Sequence, residues 1–174
     1  MMNKTRKFTV SIYTENNLGL LNRISAIFLK RHLSIDSINS SPCEIEDIFR
    51  FVIVLKTEEQ LIKKVITQLE KQVEVIAAFF HTDQETIFQE SALYKVKTQA
   101  LFQEKKVHTI IKNSHANIVT VSPEYFVIEK TGKREETERL YSQLEPFGIL
   151  QFVRSGRISV TKEPMKITEI LANK

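Results

Sequence analysis

A change of hydrophobic period, recurring along the chain, constrains the fold more than any other feature. In KFTVSIYT, residues 7–14, Phe8, Val10 and Ile12 alternate with Thr9, Ser11 and Tyr13, the two-residue period of a half-buried strand. From Leu18 to Arg31 the spacing becomes helical, and it predicts Leu20, Leu21, Ile24, Ile27 and Phe28 on one face. A strand follows over about residues 34–41, closed by Pro42, and FRFVIVLK, residues 49–56, is an apolar strand. EEQLIKKVITQLEKQ is an amphipathic helix with Leu61, Ile62, Val65, Ile66 and Leu69 as its stripe. Its acidic Glu58 and Glu59 sit in the first turn, where the helix dipole favours negative charge. VEVIAAFFH completes a βαββαβ order, the pattern of a split βαβ, ferredoxin-like unit.

Past a polar stretch, TDQETIFQES, the order repeats. ALYKVKTQ is a strand, and Val107, Ile110 and Ile111 mark a helix running to about His115. NIVTVS and YFVIEKTG form a hairpin around Pro123. REETERLYSQLE is a helix stopped by Pro146 and Gly148, and ILQFVRSGRISV is the last strand, with a turn at Ser155-Gly156. Residue identities scarcely match between the halves, so the repetition is one of pattern. The expected fold class is α+β, with two ferredoxin-like βαββαβ units: a first domain over residues 1–81, a linker over 82–90 and a second domain over 91–174.

Composition narrows the function classes. At 174 residues and 42% hydrophobic, the chain can bury a core without staples. Its one cysteine, Cys43, excludes an internal disulfide and follows a proline in a loop, where nothing marks it as a nucleophile. The N-terminus does not read as a signal peptide, and no run approaches the roughly 18 apolar residues of a membrane span. The expected setting is cytoplasmic, with no membrane partner. A net charge of +4 leaves nucleic acid open without arguing for it. An RNA-binding sheet would need exposed aromatics and basic neighbours on its central strands, and FRFVIVLK lacks the expected glycine–aromatic pattern. His108 and His115, with Glu104, share a predicted helix, but such a trio on a solvated face is a poor metal site, so no metal is expected. His81 ends a strand, and Glu44, Glu46 and Asp47 form a solvated loop. No Ser–His–Asp order, P-loop or CxxC motif is present, so the chain has no catalytic residues of its own. An acylphosphatase-type enzyme would need an arginine in the first loop, which instead holds Asn16 and Asn17.

That loop, TENNLGLLNRIS, places Gly19 where the first strand hands over to the first helix. A helix start offers unpaired N–H groups and the positive end of a dipole, and a glycine there lets a carboxylate approach without meeting a Cβ. Asn16 both donates and accepts, which suits a free amino acid. The plainer reading has Asn16 or Asn17 capping the helix and Gly19 easing the turn.

TENNLGLLNRISAIFLKRHLSIDSI, within this order of elements, resembles the ACT domain, a small-ligand sensor. More closely, it resembles the small regulatory subunits of acetolactate synthase (acetohydroxyacid synthase), through Glu15, Asn16, Gly19, Leu21, Arg23, Phe28 and SIDS. In the second half, VTVSPE and Arg154-Ser155-Gly156 match that family's hairpin and terminal motif. The resemblance spans about residues 7–162. It implies a non-catalytic partner of a large subunit that carries thiamine diphosphate, Mg and FAD and makes acetolactate for branched-chain amino-acid synthesis. It also implies homodimerisation through ACT domains and a valine-type effector at the seam. There Asn16, Asn17, Leu18, Gly19 and Leu20 of one copy would meet Ser34 and Ile35 of the other. Two departures stand out: Ser34 replaces the family's asparagine, and His32 its small residue, commonly glycine. The first implies weaker, shifted or absent valine inhibition. An ACT-type sensor serving a different client is the alternative.

Overall fold

In the computed structural model, residues 5–103 and 105–172 are described. Two compact units divide them, one of residues 1–88 with 157–174 and the other of residues 89–156. The α+β class with two ferredoxin-like units is what the chain adopts.

In the first unit, β1 (Arg6–Glu15), α1 (Leu20–Leu29), β2 (Ile35–Pro42), β3 (Ile48–Thr57), α2 (Glu59–Leu69) and β4 (Val75–Thr82) follow in turn. The sheet order is β2-β3-β1-β4, with every neighbouring pair antiparallel. α1 buries Leu20, Ile24, Ile27 and Phe28, and α2 buries Ile62, Val65 and Leu69. Both pack on Phe8, Val10, Ile12, Ile53 and Leu55 of the central strands. Each such side chain fully buried contributes about 1.5–3 kcal/mol. Leu21 departs from the predicted stripe and is 48% exposed. Because α1 starts at Leu20, its inward positions run 20, 24, 27 and 28, and Leu21, about 100° on from Leu20, falls at the edge of that stripe beyond Phe28.

β1 is buried on both faces rather than one, since Thr9 and Ser11 are covered as well as Phe8, Val10 and Ile12. The cover comes from the far end of the chain. Arg157 Nη1 donates to Thr9 Oγ1 at 2.8 Å and to Asp83 Oδ1 at 2.6 Å, and its guanidinium lies 3.6 Å from the Phe88 ring centroid. Arg50 Nη2 donates to Ser11 Oγ at 3.1 Å and to the Ser159 carbonyl at 2.7 Å.

The stretch expected as a linker is instead a turn leading into β5 (Thr86–Lys97). The Glu85 carboxylate accepts from the Thr82 N–H at 2.6 Å and the Thr82 hydroxyl at 2.7 Å. Those bonds hold its carboxyl below the usual range and close the turn on itself. Polar residues mark this tight turn as readily as they would mark a flexible tether.

The second unit continues through α3 (Thr98–Gln103), α4 (Lys105–Asn113), β6 (Asn117–Val121), β7 (Tyr125–Gly132), α5 (Arg134–Leu144) and β8 (Ile149–Arg154). Its strands take the order β6-β7-β5-β8, the topological match of the first sheet. Tyr94, Val96, Phe126, Ile128, Leu140 and Leu144 form its core. The Tyr94 hydroxyl donates to the Thr137 carbonyl at 2.7 Å, and burial pushes its pKa up to about 12 against the opposing pull of Arg154.

The single last strand expected over ILQFVRSGRISV is two strands. Ser155 donates its N–H to the Ser91 carbonyl at 2.8 Å and accepts the Ser91 N–H on its hydroxyl at 2.9 Å. Past that clamp the chain leaves the second unit, forms β9 (Ile158–Thr161) and α6 (Ile167–Ala172), and joins the first. Among the described residues no helix is long and apolar enough to cross a membrane.

Candidate functional site

The loop between β1 and α1 is exposed from Glu15 to Gly19, and Leu18 is entirely so. Gly19 occupies the N-cap position with φ 77°, a left-handed conformation that L side chains resist. Nothing lies within 4 Å of where its Cβ would be. The glycine is therefore required by its backbone angle, and the space beside it is open.

No side chain caps α1, and no acidic residue sits in its first turn. Asn17 does not cap: its Nδ2 donates to Glu15 Oε2 at 3.4 Å, and its carbonyl accepts the Leu20 N–H at a long 3.4 Å. Intrahelical bonding begins at Arg23, whose N–H reaches the Gly19 carbonyl at 3.3 Å. The amides of Leu21 and Asn22 precede it and have no carbonyl upstream within the helix. Arg23 adds a cation, ion-paired to Glu74, with Nη2 3.4 Å from the Leu18 carbonyl. The arrangement can receive a small carboxylate on backbone N–H groups at a positive dipole end.

Of the residues read from sequence, Asn16, Asn17, Leu18 and Gly19 form this exposed rim. Leu20 contributes only backbone, because its side chain is 3% exposed in the core. Ser34 is exposed and Ile35 half-buried, at the start of β2 on the sheet edge. They follow the far end of α1, whose ten residues span about 15 Å. Within one chain the two groups of predicted site residues therefore lie at opposite ends of α1. Along β2, Ile38 is 39% exposed, and a free strand edge is a template for pairing.

The histidines do not form the trio expected on one helix. His108 Nε2 lies 2.7 Å from the Leu101 carbonyl, His115 sits past the end of α4 at φ 51°, and Glu104 lies outside the described residues. Sequence reading missed Arg50 and Arg157. An arginine amid the apolar FRFVIVLK was a visible signal for the first; the second had none.

Comparison with known proteins adds an independent line. A family model described as the AHAS small subunit-like ACT domain matches residues 10–77, and one for the small subunit of acetolactate synthase matches residues 89–163. The acetolactate synthase small subunit of Mycobacterium bovis is 33% identical over 159 residues, covering 91% of this chain and 94% of that one. Its namesake in Bacillus subtilis is 32% identical over 151 residues, covering 86% and 87%. The solved acetolactate synthase small subunit of Thermotoga maritima superposes with a TM-score of 0.82 at 24% identity, over 92% of this chain and 99% of that one.

Proposed function

The chain belongs to the family of acetolactate synthase small subunits, and from that premise we propose that it activates a large catalytic subunit and senses a branched-chain amino acid. The chemistry belongs to the partner, where thiamine diphosphate, Mg and FAD would reside; this chain supplies control. Two copies pair along β2, so that the α1 start of each faces the Ser34–Ile35 corner of the other. A valine-like effector sits at that seam, its carboxylate on the Leu21 and Asn22 amides beside Gly19, its ammonium near the carbonyl and side-chain oxygens of Asn16.

The observation that carries this reading is the uncapped start of α1 behind a left-handed Gly19. A ligand bound there shifts the partner only through its difference in affinity between dimer geometries, which is why a seam suits regulation. The large subunit from the same organism, assayed for acetolactate formation with and without this chain over a valine titration, tests the reading. Activation with valine-dependent inhibition is expected; no change in rate on adding the chain would overturn it. An ACT-type sensor with a different client is disfavoured by the second unit's match to the family.

A further inference from the structure

The face of the first sheet opposite α1 and α2 holds a cavity of about 160 Å³, and its walls include Tyr13, Glu44, Arg50, Phe79, Met165 and Ile167. At roughly 30 Å³ per liquid water, that volume suits a molecule of about five to eight non-hydrogen atoms. Its lining is chemically divided. Phe79, Met165 and Ile167 are apolar, Arg50 is a cation and Glu44 an anion.

Three polar groups there are unmatched. Tyr13 is only 4% exposed, yet its hydroxyl has no hydrogen-bond partner among the described residues. Burial raises its pKa, so the phenol stays protonated and able to donate. Arg50 touches only neutral oxygens, Ser11 Oγ and the Ser159 carbonyl, and makes no ion pair among the described residues. The other arginine on this face, Arg157, is neutralised by Asp83 at 2.6 Å. Glu44, exposed at the rim, also has no ion pair among the described residues, with Arg50 or any other cation. A half-buried cation without a counter-ion is costly, and Arg50 Nε is itself buried with no hydrogen-bond partner; Tyr13 stands beside it in the sheet with a hydroxyl free to donate. A ligand bearing one negative and one positive charge on a small apolar body would answer all three.

We propose that this cavity is a second small-molecule site, distinct from the seam at α1, that takes a zwitterionic α-amino acid with a short apolar side chain. The carboxylate lies toward Arg50 and Tyr13, the ammonium toward Glu44, and the side chain against Phe79, Met165 and Ile167. The roof is the segment that Arg50 holds through the Ser159 carbonyl, so occupancy tightens residues 158–172 on the sheet. This proposal needs no dimer and stands whether or not the seam binds an effector.

Met165 is the only methionine beyond the first two residues, so methyl-labelled methionine gives a direct reporter. The full chain carrying Gly19→Val, which disables the seam, is titrated with L-valine and followed by the Met165 methyl resonance. A saturable shift is expected. Glu44→Gln, at the solvated rim, should weaken it about threefold, and Tyr13→Phe about fivefold. The single-charge analogues 3-methylbutanoate and isobutylamine should bind more weakly than valine, and Glu44→Gln should leave 3-methylbutanoate unaffected. A resonance that does not move, one that drifts linearly without saturating, equal binding of 3-methylbutanoate, or indifference to both substitutions would each overturn the proposal.

Discussion

At the end of α1, His32 takes φ 52°, and at the end of α4, His115 takes φ 51°. Around both, the bonding is the same: the histidine N–H reaches back three residues, to Leu29 and Lys112, and the next N–H reaches back five, to Phe28 and Ile111. This is the closing pattern in which glycine is the favoured left-handed residue. The helix starts of the two units differ sharply. Four residues, Asn16 to Gly19, separate β1 from α1, and no side chain caps the helix. In the second unit α3 starts directly after Lys97, and Thr98 is tied at once, its N–H to the Glu124 carbonyl at 3.1 Å and its hydroxyl to the Ser122 carbonyl at 2.8 Å. One topology therefore carries an open, uncapped helix start in one unit and a tied one in the other. The proposed sensing role rests on the loop and its glycine, not on the fold.

The largest expected effect breaks the open corner. Gly19→Val forces a β-branched side chain to φ 77°, costing about 1–2 kcal/mol of stability. By crowding the amides it should also weaken valine by at least about tenfold, the loss of one charge-assisted hydrogen bond; calorimetry and thermal melting measure the two effects. Ser34→Asn probes the facing half. Restoring an amide should tighten valine by the roughly 0.5–1.5 kcal/mol of one net hydrogen bond, and binding no tighter than in the unaltered chain would remove Ser34 from the site. Thr98→Ala attacks the sealed counterpart. It should cost about 1 kcal/mol in denaturant unfolding and leave valine affinity as it was. The smallest effect tests the shared helix ends: His32→Gly and His115→Gly should each stabilise by about 0.5–1 kcal/mol through relief of the left-handed backbone, offset in part by glycine's added chain entropy.

The element order was legible because period changes survive sequence divergence: the first βαββαβ run stands where the apolar spacing places it, whereas in the second β5 begins earlier, at Thr86, and α3 (Thr98–Gln103) takes the end of the expected strand. Gly19 was legible too, as a rare glycine at a strand-to-helix junction, although its left-handed angle was not. Leu21 was assigned to the core because a two-leucine run has no register until the helix start is fixed. The double burial of β1 was hidden, since the Arg157–Thr9 bond joins positions 148 residues apart and no local pattern records such a contact. The turn at 82–85 failed for a related reason: polarity marks a surface connection without stating whether it is taut. The cavity under residues 158–172 was invisible because its polar groups come from two strands and a loop, and only the sheet register places Tyr13 opposite Arg50.

The central claim is that one effector site is built from the α1 corner of one copy and the β2 start of another, and mixed dimers test it most directly. Chains carrying Gly19→Val are mixed in equal amounts with chains carrying Ser34→Arg, dissociated, reassociated and titrated with valine. Each variant alone should bind valine at the seam at least about tenfold more weakly than the unaltered chain, and uptake by the separate cavity beneath residues 158–172 should be the same in both. In a two-fold dimer of the mixture, both lesions fall in one seam and the other seam is intact, so about a quarter of the seam sites should return. If mixing restores nothing while each variant remains folded and dimeric, the site lies within a single chain and the account is wrong.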